Sequence, residues 1–404
     1  MDALAQSPAT QRLRRRTLGT LFIQRILKNL SCGSLTVTLP DGTSLHHRAA
    51  TNGPDATLHL HRWRMLRRLL LGGDIACAES FIDHDWTTPD LTALLELAAL
   101  NQPAIPGANG GTLPARLLHR LRHRARRNTP EGSRRNIVEH YDLGNDFYRS
   151  WLDSGMSYSS ALFSPDTEDL ETAQTAKHDR ILDLLDLTPG QRVLEVGFGW
   201  GSIAERVAAA GCHLTGLTLS PAQQQYAQQR LQSAGLAEQC DLRLQDYRDI
   251  DGQFDRIVSI EMLEAVGEAW WPAYFAMLRR RLAPGGSIVL QCITIADARF
   301  ADYRRNTDFI QQHVFPGGML PSPSALKTQI ERAGLKLENV EMFGPSYART
   351  LAAWQHRFHA AWPDIAVMGF TFRFRRLWDY YLSYCQAGFR TGAIDVGFWR
   401  LTHP

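Results

Sequence analysis

From Arg192 onward, short apolar runs alternate with amphipathic stretches. "RVLEVG" (Arg192–Gly197) reads as a buried strand and "SIAERVAAA" (Ser202–Ala210) as a helix. "HLTGLTL" (His213–Leu219) is a second strand. "SPAQQQYAQQRLQSAG" (Ser220–Gly235) is a helix with Ser220 as cap and Pro221 at its first position. "DLRLQDY" (Asp241–Tyr247) and "FDRIVSIEML" (Phe254–Leu263) follow as strands. "WWPAYFAMLRRRLAPGG" (Trp270–Gly286) is a helix closed by a Pro-Gly-Gly stop, and "SIVLQCITI" (Ser287–Ile295) is a further strand. This βαβ rhythm predicts a doubly wound, mostly parallel α/β sheet, with its ligand at the carboxyl ends of the strands.

The pattern before residue 101 is different. "SLTVTLPDGTSLHH" (Ser34–His47) alternates as two strands around a Pro-Asp-Gly turn, and "ATLHLHRW" (Ala56–Trp63) is another strand. "TPDLTALLELAAL" (Thr88–Leu100) is an amphipathic helix with Thr88 or Asp90 near its start. The Pro-, Gly- and Asn-rich stretch Asn101–Pro114 marks a linker, and the basic helix Ala115–Arg127 follows it. The expected organisation is a small α+β N-terminal domain (1–101), a linker with a basic helix (102–134) and a larger catalytic domain (135–404).

Composition narrows the classes. Hydrophobic residues make up 44% of the 404, so a large packed core is available. The net charge is only +3, so no global electrostatic partner is implied. The six cysteines form no CxxC pair and no zinc-like spacing, which argues against disulfides and structural metal and for a reducing compartment. No apolar run approaches the roughly 20 residues that span a bilayer, and "MDALAQSPATQRLRRR" lacks the apolar core of a secretory signal. His119 and His123 extend an arginine-rich face, and His59 and His61 share one strand face without a partner motif, so no metal site is expected.

The loop "VLEVGFGWGS" (Val193–Ser202) carries the chemistry. Gly197 and Gly199 fit the first two positions of a dinucleotide fingerprint, but Ser202 replaces the third and the extra glycine is Gly201. The second strand ends "GLTLS" without the acid that would hold a dinucleotide ribose, and no Gly-Lys-Ser/Thr follows for a nucleotide phosphate. Glu195 instead precedes the loop, a placement that suits a cationic ligand. S-adenosylmethionine fits: it carries an ammonium and a sulfonium, its carboxylate can meet a helix N-terminus, and its adenosine can pass over backbone without Cβ atoms. A tight strand–helix turn without ligand is the alternative.

Nine ordered segments then carry a resemblance: "HYDLGNDFYRSWLD", "MSYSSALF", "VLEVGFGWGS", "GLTLSPAQ", "LQDYRDI", "FDRIVSIEMLEAVG", "DFIQQHVFPGGMLPS", "FGPSYARTLAAW" and "YYLSYCQAGFR". Over residues 18–400 the chain resembles the cyclopropane-fatty-acyl-phospholipid synthases and their mycolic-acid cyclopropane synthase relatives. The resemblance implies a Rossmann-like class I methyltransferase sheet with a helical, acyl-binding lid. It implies donor contacts from Tyr141, Tyr158, Ser159, Glu195, Gly197, Gly199, Trp200, Gly201, Gln245, Asp246 and Tyr247. Thr218, Leu219, Ser220 and Gln223 would take the place of the ribose-binding acid.

The implied reaction is alkylation of the cis double bond of an unsaturated phospholipid acyl chain, followed by proton loss that closes a cyclopropane. A methyl-branched or methylene product without ring closure is the alternative. Bicarbonate is the family's bound base, held by groups that match Glu264 and Tyr347. Two positions depart: Ser160 stands for a cysteine and Gln291 for a histidine, which leaves room for methylation without cyclisation. Cys385 matches a cysteine offered as a nucleophile, yet transfer to an alkene needs no covalent enzyme intermediate, and the run "YYLSYCQAGF" reads as a buried thiol. The aromatic residues after position 300, Phe300, Tyr303, Phe309, Phe315, Phe343, Tyr347, Trp354 and Phe358, would supply a slot for the acyl chain and its transient cation, with plain core as the alternative for most of them.

Bilayer substrates imply a cytoplasmic protein associated peripherally with the inner membrane face. Arg116, Arg120, Arg122, Arg124, Arg126 and Arg127, interleaved with Leu117, Leu118 and Leu121, are the expected contact. A solvated interdomain helix is the plainer reading of that stretch. No nucleic-acid signature is present, and a homodimer is an assembly that the sequence leaves open. The rival functions are a small-molecule N-methyltransferase and a non-catalytic lipid-binding protein.

Overall fold

The computed structural model describes residues 18–105, 143–167 and 169–404. The basic stretch 115–127, most of the linker and Tyr141 lie outside the described residues.

The N-terminal unit is a four-stranded sheet with three α-helices. β1 (Cys32–Thr38), β2 (Ser44–Arg48), β3 (Thr51–Leu60) and β4 (Trp86–Thr87) stand in the order β2-β1-β3-β4. The β1–β2 hairpin turns at Gly42, whose φ of 82° requires a residue without a Cβ penalty. β3 runs parallel to β1. The helix Leu18–Lys28 precedes the sheet. The helix Arg64–Ile82 breaks at Gly73 (φ 72°, ψ −152°). The helix Leu91–Leu100 starts as expected, with the Asp90 carboxylate accepting from Ala93 N at 2.9 Å.

The second sheet has seven strands: β5 (Arg192–Val196), β6 (His213–Thr218), β7 (Cys240–Leu244), β8 (Phe254–Ile260), β9 (Leu282–Ile295), β10 (Lys336–Met342) and β11 (Ile394–Thr402). Their order is β10-β11-β9-β8-β5-β6-β7. β7, β6, β5, β8 and β9 are parallel, β11 adds antiparallel to β9, and β10 adds antiparallel to β11, so β11 alone runs against the others. The mostly parallel α/β sheet read from the sequence is therefore present. Several boundaries differ, as where β7 ends at Leu244 rather than Tyr247 and β8 at Ile260 rather than Leu263. The helix Trp271–Arg281 stops before the Pro-Gly-Gly stretch, and β9 already begins at Leu282. The strand order reverses at β5, between β6 and β8, and a crevice opens there.

Two long helices, Gly344–Val367 and Phe372–Arg390, connect β10 to β11 and pack on each other. The second also lies along the helix Leu91–Leu100 of the N-terminal unit. Thr92 Oγ1 donates to Gln386 Oε1 at 2.8 Å, and the Arg376 guanidinium donates to the carbonyls of Phe81 (2.7 Å) and Trp86 (3.1 Å). One apolar cluster runs across this seam, from Ile23 and Trp86 to Trp378 and Phe398.

Candidate active site

β5 ends at Val196, and the chain turns through Gly197 (φ 87°), Gly199 (φ 54°) and Gly201 (φ 86°) into the helix Ser202–Ala209. A Cβ on Gly199 would meet nothing within 4 Å, whereas one on Gly201 would sit 2.9 Å from the Ala227 Cβ. Gly199 thus presents bare main chain to the crevice, and Gly201 lets two helices approach. Gly197, Gly199, Thr218, Leu219, Gln223, Gln245, Asp246, Tyr247 and Tyr158 all line this crevice.

Other residues named from the sequence stand behind it. Ser220 is buried as the cap of the helix Pro221–Ser233. Trp200 is buried and donates Nε1 to Asn145 Oδ1 at 2.8 Å. Ser159 accepts from Lys177 Nζ at 2.9 Å. Glu195 corrects an expectation. Strand alternation points Val196 into the crevice and Glu195 away from it. Burial pushes the Glu195 carboxyl up to about 8, against the pull of the Lys177 charge.

Two hydrogen-bonded pairs shape the crevice wall. Thr218 Oγ1 donates to Gln223 Oε1 at 2.9 Å. Asp246 accepts from Arg248 Nε (2.8 Å) and Nη2 (2.6 Å), and that guanidinium lies 4.9 Å from the ring centre of Trp270.

The carboxyl end of β8 holds the decisive geometry. Glu261 follows the strand with φ 49°, a left-handed conformation that is uncommon outside glycine. Its Oε1 accepts from Ser160 N (2.8 Å) and Gln291 Nε2 (2.7 Å), and its Oε2 accepts from Tyr347 Oη (2.6 Å). Burial raises this carboxyl above its ordinary range, while the Tyr347, Ser160 and Gln291 donors pull against that rise.

Three of the four groups matched to a bound anion, Ser160 through its backbone N, Gln291 and Tyr347, therefore converge on Glu261, a residue that sequence matching passed over. Glu264 lies on the next turn and lines the same cavity; Ile293 N meets its Oε1, and among the described residues its Oε2 has no hydrogen-bond partner. Burial and the neighbouring Glu261 push Glu264 up to about 8. One signal could have found Glu261: it is the first residue past a parallel strand, where such sheets place their ligands.

The crevice is one end of a larger cavity, about 970 Å³ in all. Tyr303, Phe315, Tyr347, Tyr381 and Cys385 line it, and Tyr158 Oη hydrogen-bonds Tyr381 Oη at 2.9 Å. Phe309, Phe343, Trp354 and Phe358 are instead buried in the core. Burial, followed by the charges of Asp308 and Glu261, raises the Cys385 thiol well above its usual range, which is the opposite of what a nucleophile needs.

A family profile described as mycolic acid cyclopropane synthetase matches residues 128–399. The chain belongs to this family. It is 39% identical over 383 residues to a tuberculostearic acid methyltransferase of Mycobacterium tuberculosis, covering 91% of this chain and 87% of that one. It is 37% identical over 345 residues to the cyclopropane-fatty-acyl-phospholipid synthase of Escherichia coli K12, covering 83% and 84%. Among solved structures it is similar to a mycolic acid cyclopropane synthase complexed with S-adenosylhomocysteine and CTAB (TM-score 0.62, 31% identity, 66% of this chain and 97% of that one). The protein is an S-adenosylmethionine-dependent methyltransferase of the cyclopropane synthase type.

Proposed function

We propose that this methyltransferase adds a one-carbon unit to the cis double bond of an unsaturated phospholipid acyl chain and uses Glu261 as its base. The observation that carries the reading is the Glu261 carboxylate, held by three donors at 2.6–2.8 Å beside the donor crevice. The phospholipid is supported by the E. coli relative.

S-adenosylmethionine supplies an electrophilic methyl group when bound. The bare main chain at Gly197–Gly199 admits it, Thr218 and Gln223 offer hydroxyl and amide to a ribose, and Asp246 offers an acceptor to an adenine amine. The apolar walls hold the alkene by shape and exclude water. Methyl transfer leaves a positive charge on the acyl chain, which the rings of Tyr347 and Tyr381 face. Glu261 then accepts a proton from the cation. Its raised basicity and fixed orientation suit that step.

Bicarbonate does not fit this site. Ser160 N, Gln291 and Tyr347 already meet a carboxylate of the chain itself, and a second anion would stand against Glu261. An open-chain methylene product, formed by loss of a proton from the cation without ring closure, is supported by this substitution and by the likeness to the tuberculostearic acid methyltransferase. Ring closure is the second reading, supported by the family profile and the E. coli relative. Among the described residues no helix is long and apolar enough to cross a membrane. The protein would meet its lipid peripherally, with Arg116–Arg127 as the basic contact.

Labelled methyl transfer to vesicles of monounsaturated phospholipid tests the reading. Label in the acyl chain supports it, and proton NMR separates the vinyl signals of an open-chain methylene from cyclopropane signals. Label confined to soluble amines, or no label with intact vesicle binding, would overturn it.

A further inference from the structure

The family profile begins at residue 128, and the solved mycolic acid synthase is covered almost end to end by two thirds of this chain. Residues 18–105 are an addition to that common core. The addition is welded to the core through Thr92–Gln386 and through Arg376, which donates to the carbonyls of Phe81 and Trp86. It also walls the reaction cavity. Beyond Glu261 and Glu264 the same cavity passes Tyr380 and Tyr384 and enters the N-terminal unit between its sheet and helices.

There the lining is aliphatic, with Ile23, Leu27, Val37, Leu60, Leu66 and Leu94 on its walls. Among the described N-terminal lining residues, Asp74 and Cys77 are the only titratable groups, and Gln102 is the only other polar side chain. Burial, followed by the charge of Asp308, pushes Asp74 up to about 7, so the chamber holds at most one partly ionised carboxyl at neutral pH, and burial pushes Cys77 up to about 12, which keeps it a neutral thiol.

We propose that the N-terminal unit is the receptacle for the methyl-terminal hydrocarbon of the acyl chain being modified. This rests on the acyl substrate proposed above. A chamber with so few donors would leave ester and phosphate oxygens unpaired, so the headgroup end belongs elsewhere. A saturated tail needs only apolar walls, and this chamber supplies them at the far side of the base from the donor crevice.

The experiment uses lysophospholipids with one cis double bond at a fixed distance from the ester and a full or truncated saturated segment beyond it. Val37→Trp fills the chamber. The expected result is at least a tenfold fall in the ratio of full-tail to truncated-tail turnover relative to wild type. S-adenosylhomocysteine affinity by calorimetry should stay within twofold, since the crevice is remote from β1. Should Val37→Trp fail to fold, Leu60→Ala enlarges the chamber, and turnover of an extended-tail probe relative to the full-tail probe should rise. Tail-length selectivity equal to wild type in whichever variant folds, or an equal loss for all tail lengths with donor binding intact, overturns the proposal. A wild-type protein that labels no lipid overturns the acyl reading itself, which keeps the two failures apart.

Discussion

Replacing Glu261 by glutamine removes a base while sparing most of the network around it. The amide oxygen can still accept from Ser160 N and Gln291 Nε2, now separated from the donors by the same 2.8 and 2.7 Å that the carboxylate keeps. The amide nitrogen then faces Tyr347 Oη, at 2.6 Å in the native contact, and the hydroxyl can turn to accept. The Tyr347 O–H loses its native acceptor, which costs about 1 to 3 kcal/mol of stability, while donor affinity should change little. Loss of a positioned base costs about 100- to 10,000-fold in turnover, or about 3 to 5 kcal/mol of activation free energy. The assay is single-turnover methyl transfer to vesicles, with S-adenosylhomocysteine titration as the control for the crevice. A companion variant, Glu261→Gly, relieves the left-handed backbone and leaves three donors around a space of carboxylate size. Formate or bicarbonate should restore part of its turnover, while wild-type turnover should ignore bicarbonate. Wild-type rates in Glu261→Gln, or a wild-type enzyme that stalls without bicarbonate, would refute the reasoning.

Cys385→Ala should keep turnover within about threefold, because a thiol held protonated contributes no nucleophile; a loss as large as that of Glu261→Gln would contradict this. Glu264 should mark the pH dependence of stability. Between 4.5 and about 8 the folded protein holds a proton there that the unfolded chain releases, so stability falls as pH rises through that window. Denaturant midpoints of Glu264→Gln should fall less steeply over the same range, and equal slopes would remove Glu264 as the cause. Arg248→Gln should weaken S-adenosylhomocysteine binding about tenfold by releasing the clamp on Asp246, and unchanged calorimetric affinity would show that Asp246 needs no such support.

The strand and helix pattern of the larger sheet was legible because each element carries its own signal. Ser220 and Pro221 announce a helix start, and glycine spacing announces the turn after β5. Side-chain direction was less legible. Glu195 and Val196 are neighbours in sequence, and only the pleat decides which one faces the crevice. Glu261 was hidden for another reason. The segment "IEMLEAVG" offers two glutamates three positions apart, and the choice depends on a backbone angle that no residue pattern encodes. The reach of the N-terminal unit into the cavity was not readable either. It depends on contacts such as Thr92–Gln386, which join residues 294 positions apart.

That seam has a chemical cost if it loosens. The helix Phe372–Arg390 turns Arg376 and Gln386 toward the N-terminal unit and Tyr381, Tyr384 and Cys385 toward the cavity. Slack on one side is therefore felt as leakage on the other. Solvent reaching the charged acyl intermediate would be captured as a hydroxyl group. A frayed seam would announce itself as alcohol-bearing lipids among the products, well before the protein lost its ability to consume the methyl donor.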